Sequence, residues 1–420
     1  MTELHHVTGA AHRPAVDAAR WPAVADRPGP SRPRDTLART AVRRALARLP
    51  LRVRYGNGPV RGAAGPLLEI ADPEAFMRRV GRYGLVGFGE SYLAHEWDAE
   101  DLVGVLTVFA EHADSIVPRW AQRLRGAWAP RHPVGQYNTL EAAPKHVHHH
   151  YDLSNELFGL FLDPTLSYSA ALFDRLPAAW DDLADAQHRK IDRLLDLAGV
   201  GPGTRLLEIG TGWGELALRA ALRGARVVTA TLSEEQRRLA ARRALRDGLT
   251  DRISLLLCDY RELEGRYDAV ISVEMIEAVG AAYWPRYFST LQNLLAPGGR
   301  IALQAITMPH ERMLATRHTY TWIQKYVFPG GFLPSVTALE QCAARHTRLH
   351  LARRDSFGDH YAQTLRLWRE RFTARDAEVA ALGFDATFRR MWTFYLAYSE
   401  AGFRARYLDV QQILLQEADR

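Results

Sequence analysis

The chain contains 420 residues, of which 47% are hydrophobic and 24% are charged, with 54 basic and 48 acidic side chains. At roughly 100–200 residues per domain, this length predicts two or three domains, and the apolar fraction excludes a wholly disordered chain. No run of about 18 uncharged apolar residues is present, which argues against a membrane-spanning helix. The first sixteen residues lack an apolar signal-peptide stretch, and the two cysteines give no disulfide framework, so we expect a cytoplasmic protein.

Positive charge is concentrated near the N-terminus. Residues 1–61 hold twelve arginines against four acidic residues, an excess of eight, whereas the net charge of the whole chain is +6. Such asymmetry favours an anionic partner, either nucleic acid or an anionic membrane surface. The chain has only three lysines, so the arginine-rich composition of a GC-rich genome is an alternative explanation at this point.

The N-terminal third predicts a small domain between two irregular segments. Residues 1–35, rich in Pro, Gly and Arg, predict a flexible leader. A basic amphipathic helix is predicted over residues 36–49. A small α+β region follows and ends in a helical pattern at 101–117, so residues 36–125 are assigned to an N-terminal domain that docks on lipid. The Pro/Gly-punctuated stretch 126–145 predicts the linker.

The rest of the chain, residues 146–420, alternates short apolar strands with amphipathic helices. Strands are predicted at 205–209, 226–230, 253–258, 267–273 and 300–306, with helices at 213–223, 233–248 and 283–295 between them. Strands that alternate with helices form βαβ units, so this half predicts an α/β fold with a doubly wound, mostly parallel sheet.

A glycine-rich turn lies between the first of these strands and its helix. The segment LEIGTGWG at 207–214 has G-x-G-x-G spacing, with the acidic residue Glu208 two positions before Gly210. This differs from the G-x-G-x-x-G of dinucleotide-binding enzymes and is typical of methyltransferases that use S-adenosylmethionine (SAM). A tight turn without a ligand is the alternative reading.

Further motifs flank this turn in a fixed order. They are HYDLSN at 150–155, FLD at 161–163, YS at 168–169, TLSEEQ at 231–236, DYR at 259–261, EMIE at 274–277 and FPGG at 328–331. Their order closely resembles the cyclopropane fatty-acid synthase (mycolic acid cyclopropane synthase) family over residues 146–420. The segment GFGESY at 87–92, with Trp97, resembles the N-terminal domain of phospholipid-acting members. Segments 20–24, 315–319 and 396–401 are most similar to the actinobacterial branch that makes 10-methyl (tuberculostearic) fatty acids.

The resemblance implies a Rossmann-like methyltransferase fold with a seven-stranded sheet and SAM as cofactor. It also implies methylation of the cis double bond of an oleoyl chain in a membrane phospholipid. A hydride shift followed by proton loss from the new methyl group gives a 10-methylene chain, whereas ring closure gives cyclopropane. Reduction of the methylene group needs a hydride donor, so a separate NAD(P)H- or flavin-dependent reductase is implied.

The family pattern assigns the SAM-binding residues. Carried over to this chain, they are Tyr168, Ser169, Gly210, Gly212, Thr231, Gln236, Tyr260 and Arg261. Glu208 is expected to order the loop or to reach the amino-acid part of SAM. For Thr231 and Gln236 the alternative is a helix cap and an exposed helix face.

The resemblance also implies a bicarbonate that acts as base. Of its ligand positions Glu277, Ile306 and Tyr361 match, whereas the pattern's cysteine falls on Ala170 and its histidine on Gln304. Glutamine still offers a hydrogen-bond donor and alanine's side chain offers none, so these two positions argue against bicarbonate binding. Glu277 follows a strand end, where α/β sheets bind ligands, and is the leading base; Glu274 is the alternative.

The acyl-chain pocket is assigned by the same resemblance. It comprises Ala170, Ile306 and His150, with Tyr326 and Phe328 from a segment at 309–335 that covers the chain. The aromatic residues of that segment fit an ordinary core as well. Histidines 146 and 148–150 have no flanking acidic or cysteine spacing, so no metal site is predicted.

These observations predict a SAM-dependent methyltransferase that forms 10-methylene chains on phospholipid. The alternatives are a cyclopropane-fatty-acyl-phospholipid synthase and an inactive lipid- or SAM-binding protein. A nucleic-acid methyltransferase is disfavoured because no base-recognition motif accompanies the SAM loop. We expect a homodimer that docks on the inner face of the cell membrane through the basic N-terminal region.

Overall fold

The computed structural model describes residues 16–29, 32–62, 64–113, 154–317 and 319–417. It divides into two compact units, one formed by Met1–Asp101 and Phe384–Phe394 and the other by Leu102–Gly383 and Tyr395–Arg420. The predicted linker 126–145, His150 and the other histidines of that cluster lie outside the described residues. The predicted domain boundaries therefore stay predictions.

In the described residues, the first unit combines three helices and the first part of a fourth, within Phe384–Phe394, with a two-stranded parallel sheet. The elements are α1 Pro22–Ala25, α2 Arg32–Leu46, β1 Arg52–Tyr55, β2 Leu67–Ile70 and α3 Pro73–Leu93. Val53 pairs with Leu68 in the sheet. The predicted amphipathic helix thus begins four residues earlier than expected and ends three residues earlier.

The motif at 87–92 builds the core of this unit. The Phe88 ring stacks on Trp97 with centroids 4.6 Å apart, and the Trp97 Nε1 donates to the Phe88 carbonyl at 2.9 Å. Helix α3 bends at Gly84, whose φ of 58° is outside the helical region. A Cβ on Gly87 would lie 2.3 Å from the Arg79 carbonyl oxygen, so only glycine fits at this close approach.

Arg79 is a fully buried cation in the same unit. Its guanidinium donates to both carboxylate oxygens of Glu96 and to the carbonyls of Ala23 and Val24. These bonds tie α1 to α3. A buried charge needs such partners, because removing one of them leaves the other uncompensated in a medium of low dielectric constant.

The second unit contains a seven-stranded sheet with the order β5-β4-β3-β6-β7-β9-β8. The strands are β3 Arg205–Ile209, β4 Arg226–Thr231, β5 Ile253–Leu257, β6 Tyr267–Val273, β7 Leu295–Thr307, β8 Leu349–Ser356 and β9 Asp409–Glu417. Strands β3 to β7 are parallel, and β9 is antiparallel to both β7 and β8. This confirms the predicted doubly wound, mostly parallel sheet.

Helices precede and connect the strands. They are α4 Leu102–Glu111, α5 Asn155–Phe161, α6 Leu183–Ala198, α7 Glu215–Leu222, α8 Glu234–Arg246, α9 Ile276–Val279, α10 Trp284–Leu294, α11 His310–Thr316, α12 Trp322–Tyr326, α13 Val336–His346, α14 Gly358–Ala374, α15 Asp376–Ala381 and α16 Ala386–Arg404. Among the described residues, no helix has the length and apolarity that crossing a membrane requires.

The sheet is buried on both faces. Successive residues of β6 alternate between two hydrophobic clusters, with Val270 in one and Ala269 and Ile271 in the other. The strand order reverses between β3 and β6, since β4 and β5 follow on one side and β7 on the other. Ligands of open α/β sheets bind outside the carboxyl ends of the strands at such a reversal, so this edge is where the functional site is expected.

Replacing Arg79 tests the buried ion pair of the first unit. We expect Arg79→Met to destabilise the protein by about 3–5 kcal/mol, because Glu96 is left buried without its cation. Glu74→Gln, which breaks an exposed ion pair with Arg78 on the same helix, should stay within about 0.5 kcal/mol. Thermal unfolding followed by circular dichroism measures both, and equal effects of the two substitutions would contradict the assignment.

Candidate functional site

The glycine loop lies directly after β3. The backbone N–H groups of Gly210 and Thr211 donate to the Ala230 carbonyl at 2.9 and 3.1 Å, which holds the loop against β4. Gly210 and Gly212 have φ values of 98° and 51°, a region that side chains disfavour. The loop therefore takes a backbone path that glycine permits, and it ends at the N-terminus of α7.

Glu208 lies beneath this loop with its carboxyl group buried. Thr229 donates to Glu208 Oε2 at 2.6 Å, and the hydroxyls of Thr229 and Thr211 lie 2.7 Å apart. Burial raises the pKa of Glu208 to about 8. The chain of hydroxyls connects Glu208 to the loop, which supports the expected loop-ordering role.

Ser169 and Tyr168 face the same edge of the sheet. Ser169 Oγ accepts a hydrogen bond from the buried Lys190 ammonium at 2.7 Å, and the hydroxyls of Tyr168 and Tyr395 lie 2.8 Å apart. Burial lowers the pKa of Lys190 to about 8, although Glu274 and other carboxylates oppose this shift. The Tyr168 ring packs 5.3 Å from Trp368.

Thr231 and Gln236 follow the carboxyl end of β4. The Thr231 hydroxyl donates to Gln236 Oε1 at 2.9 Å, and both side chains are buried. Ser233 is the N-cap of α8, since its side chain accepts from the Gln236 N–H. The alternative reading of a Thr231 cap and an exposed Gln236 is therefore wrong.

Tyr260 and Arg261 follow β5 in a short 3₁₀ turn. Arg261 makes two 2.7 Å hydrogen bonds to the Asp259 carboxylate, and its guanidinium lies 5.4 Å from the Tyr260 ring centroid. The Tyr260 ring meets Tyr287 edge-on at 5.3 Å. Burial raises the pKa of Tyr260 to about 12. Tyr260 and Arg261 therefore lie just beyond the carboxyl end of β5, the strand that pairs with β4.

Glu274 begins the turn after β6 with a φ of 49°, which is unusual for a residue other than glycine. Its Oε1 accepts from the Ala170 N–H at 2.9 Å and from Gln304 Nε2 at 2.8 Å. Its Oε2 accepts from the Tyr361 hydroxyl at 2.7 Å. Burial raises the pKa of Glu274, and these three donors oppose the shift.

Glu277 lies one helical turn further along, on α9. Its Oε1 accepts from the Ile306 N–H at 2.5 Å, and its Oε2 has no hydrogen-bond partner among the described residues. Burial raises the pKa of Glu277 to about 8, with a further contribution from Glu274. Two buried carboxyl groups with different hydrogen-bond environments therefore lie close enough for the charge of Glu274 to act on Glu277.

The structure brings Ala170, Ile306 and Tyr361 to this pair of carboxyl groups. Ala170 and Ile306 contribute through backbone N–H groups. Burial raises the pKa of Tyr361 well above its ordinary value, so its hydroxyl stays protonated and donates. Gln304 accepts from Gln412 at 3.0 Å, which orients its amide so that the nitrogen points to Glu274.

The covering segment 309–335 is anchored beside the site. The Phe332 N–H donates to the Glu277 carbonyl at 2.8 Å. The Phe328 ring lies 5.9 Å from the Tyr395 ring, whereas Tyr326 packs on Trp322 at 5.4 Å. Trp322 is buried and Tyr326 and Phe328 are half-buried. Tyr326 therefore packs on Trp322, whereas Phe328 packs on Tyr395, whose hydroxyl meets that of Tyr168.

Lys190 is a site residue that the motifs did not reveal. It lies on the apolar face of α6 among Ala186, Ile191 and Leu194, all buried. A lysine at a core position of an amphipathic helix, in a chain with three lysines, was the available signal. No group of three or more His, Cys, Asp or Glu side chains suited to a metal occurs within the described ranges.

The amino-acid sequence matches a known protein family. The family model described as "Mycolic acid cyclopropane synthetase" matches residues 138–413. The chain belongs to this family. It is 54% identical to the tuberculostearic acid methyltransferase UfaA1 of Mycobacterium tuberculosis over 95% of both chains. It is 32% identical to the cyclopropane-fatty-acyl-phospholipid synthase of Escherichia coli, covering 84% of this chain and 89% of that protein.

A solved structure confirms the fold of the second unit and its cofactor. Mycolic acid cyclopropane synthase CmaA1, complexed with S-adenosylhomocysteine and CTAB, matches with a TM-score of 0.60 and 32% identity, covering 65% of this chain and 98% of that one. The protein is thus a SAM-dependent methyltransferase with a Rossmann-like fold. The buried hydroxyls and amides at the carboxyl ends of β3 and β4 fit a polar cofactor of this kind.

The glycine loop gives a test of SAM binding with a matched control. Gly203 and Gly210 both have positive φ, 81° and 98°, and neither would bring a new Cβ closer than 3.8 Å to another residue. We expect Gly210→Ala to weaken SAM binding about tenfold or more, because relieving the backbone strain moves the loop. Gly203→Ala should retain wild-type affinity, and calorimetric titration measures both. Equal affinity losses would contradict the role of the loop.

Proposed function

We propose that this enzyme methylates the cis double bond of oleoyl chains in membrane phospholipids and releases a 10-methylene product. The observation that carries the proposal is the 54% identity to UfaA1 over 95% of both chains. The product is the precursor of 10-methylstearic (tuberculostearic) acid. Its reduction is assigned to a separate enzyme that uses NAD(P)H or flavin as hydride donor.

The buried residues around Glu274 and Glu277 support this chemistry. Bound SAM supplies an electrophilic methyl group, which the alkene attacks, leaving positive charge on the neighbouring carbon of the acyl chain. Tyr168, Tyr361 and Tyr395 present aromatic rings and hydroxyls near the buried carboxyl groups. These groups stabilise a cation while their packing excludes water that would quench it.

The fate of the cation decides between two products. A hydride shift followed by proton loss from the new methyl group forms an exocyclic methylene, whereas proton loss with ring closure forms cyclopropane. Ala170 and Gln304 depart from the ligand pattern that the family resemblance associates with ring closure, which favours the methylene product. The second candidate is a cyclopropane synthase, supported by the 32% identity to the Escherichia coli enzyme.

The basic face of α2 supports docking on an anionic membrane. Arg39, Arg43 and Arg44 of α2 are exposed, and so is Arg48 in the turn that follows the helix. We assign the enzyme to the inner face of the cell membrane as a peripheral protein. Its binding partner in this proposal is membrane phospholipid and not nucleic acid. A homodimer would place two such faces on one bilayer and strengthen attachment through avidity.

Product analysis tests the reaction. Purified protein is incubated with SAM and dioleoyl-phosphatidylglycerol vesicles, and the acyl product is resolved by proton NMR. We expect terminal olefinic signals, because the proton is lost from the new methyl group. Mass alone does not discriminate, since the methylene and cyclopropane products are isomers.

Other outcomes of this assay identify the alternatives. Ring-proton signals without olefinic ones would replace the proposal with a cyclopropane synthase. Saturable SAM binding without release of S-adenosylhomocysteine would indicate an inactive lipid- or SAM-binding protein. Turnover that RNA stimulates in the absence of vesicles would revive a nucleic-acid methyltransferase.

Membrane docking is tested by vesicle co-sedimentation. Changing Arg39, Arg43 and Arg44 of α2, together with Arg48 just after it, to glutamine should lower affinity for anionic vesicles on the order of tenfold or more, since each basic residue near such a surface contributes about 1 kcal/mol. The matched control changes four exposed arginines of the second unit, Arg226, Arg238, Arg242 and Arg246. Wild-type binding should fall with salt. Salt-independent binding, or equal losses in both variants, would refute docking through α2.

A further inference from the structure

Glu274 is held in place by a strained backbone conformation. A non-glycine residue with a φ of 49° is strained by about 1 kcal/mol or more. Its backbone N–H donates to the Gln304 carbonyl at 2.7 Å, so the strained turn is pinned to β7. The result is a carboxylate that points into the donors of Ala170, Gln304 and Tyr361.

The same donors are the positions that the family resemblance assigns to a bound bicarbonate. Here the donors from Ala170, Gln304 and Tyr361 are used by Glu274, and the Ile306 N–H is used by Glu277. An exogenous anion would have to displace a carboxylate that belongs to the chain. It would also place a further negative charge beside the buried carboxylate of Glu274. The residues of this site therefore do not fit bicarbonate.

The two residues that depart from the family pattern explain how the carboxylate is accommodated. Ala170 is fully buried and offers its N–H without a larger side chain. Gln304 is a neutral donor whose orientation is fixed by Gln412 on β9. Both changes are compatible with a carboxylate that reaches in from position 274.

The environments of the two carboxyl groups differ in a way that assigns their charges. Glu274 receives three hydrogen bonds and is attracted by Lys190. Glu277 receives one from Ile306, and burial with the Glu274 charge raises its pKa to about 8. When the surroundings of two acids shift their pKa values apart, they determine which of the two loses its proton first. Burial raises the pKa of both acids, but the three donors and the Lys190 cation stabilise the charged form of Glu274, so Glu274 is the one of the two better suited to act as a carboxylate.

We infer that Glu274 supplies from within the chain the carboxylate base of the active site and that no bicarbonate takes part. This deepens the proposed function and rests on it. The C–H bond of the newly added methyl group breaks, its electron pair forms the exocyclic double bond, and the proton passes to a Glu274 oxygen. Glu274 then returns the proton to solvent, so the step needs no oxidant, reductant or further reactant.

The test compares two substitutions of Glu274 in the full-length protein. We expect Glu274→Gln to lower turnover about 100-fold or more, the usual contribution of a general base. Glu274→Gly also loses turnover but relieves the backbone strain and opens the anion position, so added bicarbonate or formate should restore at least tenfold. Glu274→Gln should not be rescued, because its amide still fills the space. Glu264→Gln, at an exposed position, should keep wild-type turnover.

A binding measurement separates the inference from effects on activity. The ¹³C signal of labelled bicarbonate should broaden with Glu274→Gly and not with wild type. Wild-type turnover should persist in carbon-dioxide-free buffer. Loss of that turnover, or bicarbonate binding to wild type, would overturn the inference. Lack of rescue in Glu274→Gly together with no binding would do the same.

Failure of the proposed function gives a different result. If wild type makes cyclopropane in carbon-dioxide-free buffer, the 10-methylene assignment is wrong, whereas Glu274 remains the internal base. If wild type makes the methylene product only with bicarbonate present, the reaction stands and the role of Glu274 is refuted.

Discussion

A buried carboxyl group must receive from the protein the hydrogen bonds that it loses from water. Glu208, Glu274 and Glu277 are three such groups at the carboxyl edge of one sheet, and each receives hydrogen bonds from neighbouring elements. Thr229 donates to Glu208, and backbone, amide and phenol donors serve the other two. The reversal of strand order between β3 and β6 makes this possible, because it opens a crevice where several strand ends meet.

The antiparallel end of the sheet participates in the same network. Gln412 lies on β9, opposite Gln304 of β7. Its amide nitrogen donates to Gln304 Oε1 and to the carbonyl of Lys190 on α6, and its own oxygen accepts from Arg193. One side chain thus fixes the direction of the Gln304 amide and the position of the helix that carries the buried lysine. β9 therefore acts as part of the site although it carries none of the motif residues.

The sequence allowed prediction of those elements whose bounds depend on the local residue pattern. Strands β3 and β6 were predicted to the residue, because a short apolar run followed by a glycine or acidic turn specifies them. Strands β8 and β9 were not predicted individually, since β8 carries charged residues and the pairing is non-local. The contacts of Glu274 were equally inaccessible: they depend on a positive φ and on donors from positions 170, 304 and 361, which no spacing rule connects.

The makeup of the first unit has a consequence for how the chain can be shortened. Residues 384–394 belong to it although they follow most of the second unit in sequence. Within this segment Arg390 lies 3.6 Å from the Tyr92 ring centroid and pairs with Asp98, and Phe394 packs on Tyr92 and Trp97. A fragment that begins after residue 101 would keep this segment of α16. It would lose Tyr92, Trp97 and Asp98, on which the segment packs. The catalytic half is therefore not a detachable module: proteolysis or a late translation start would expose an aromatic and cationic surface that promotes aggregation.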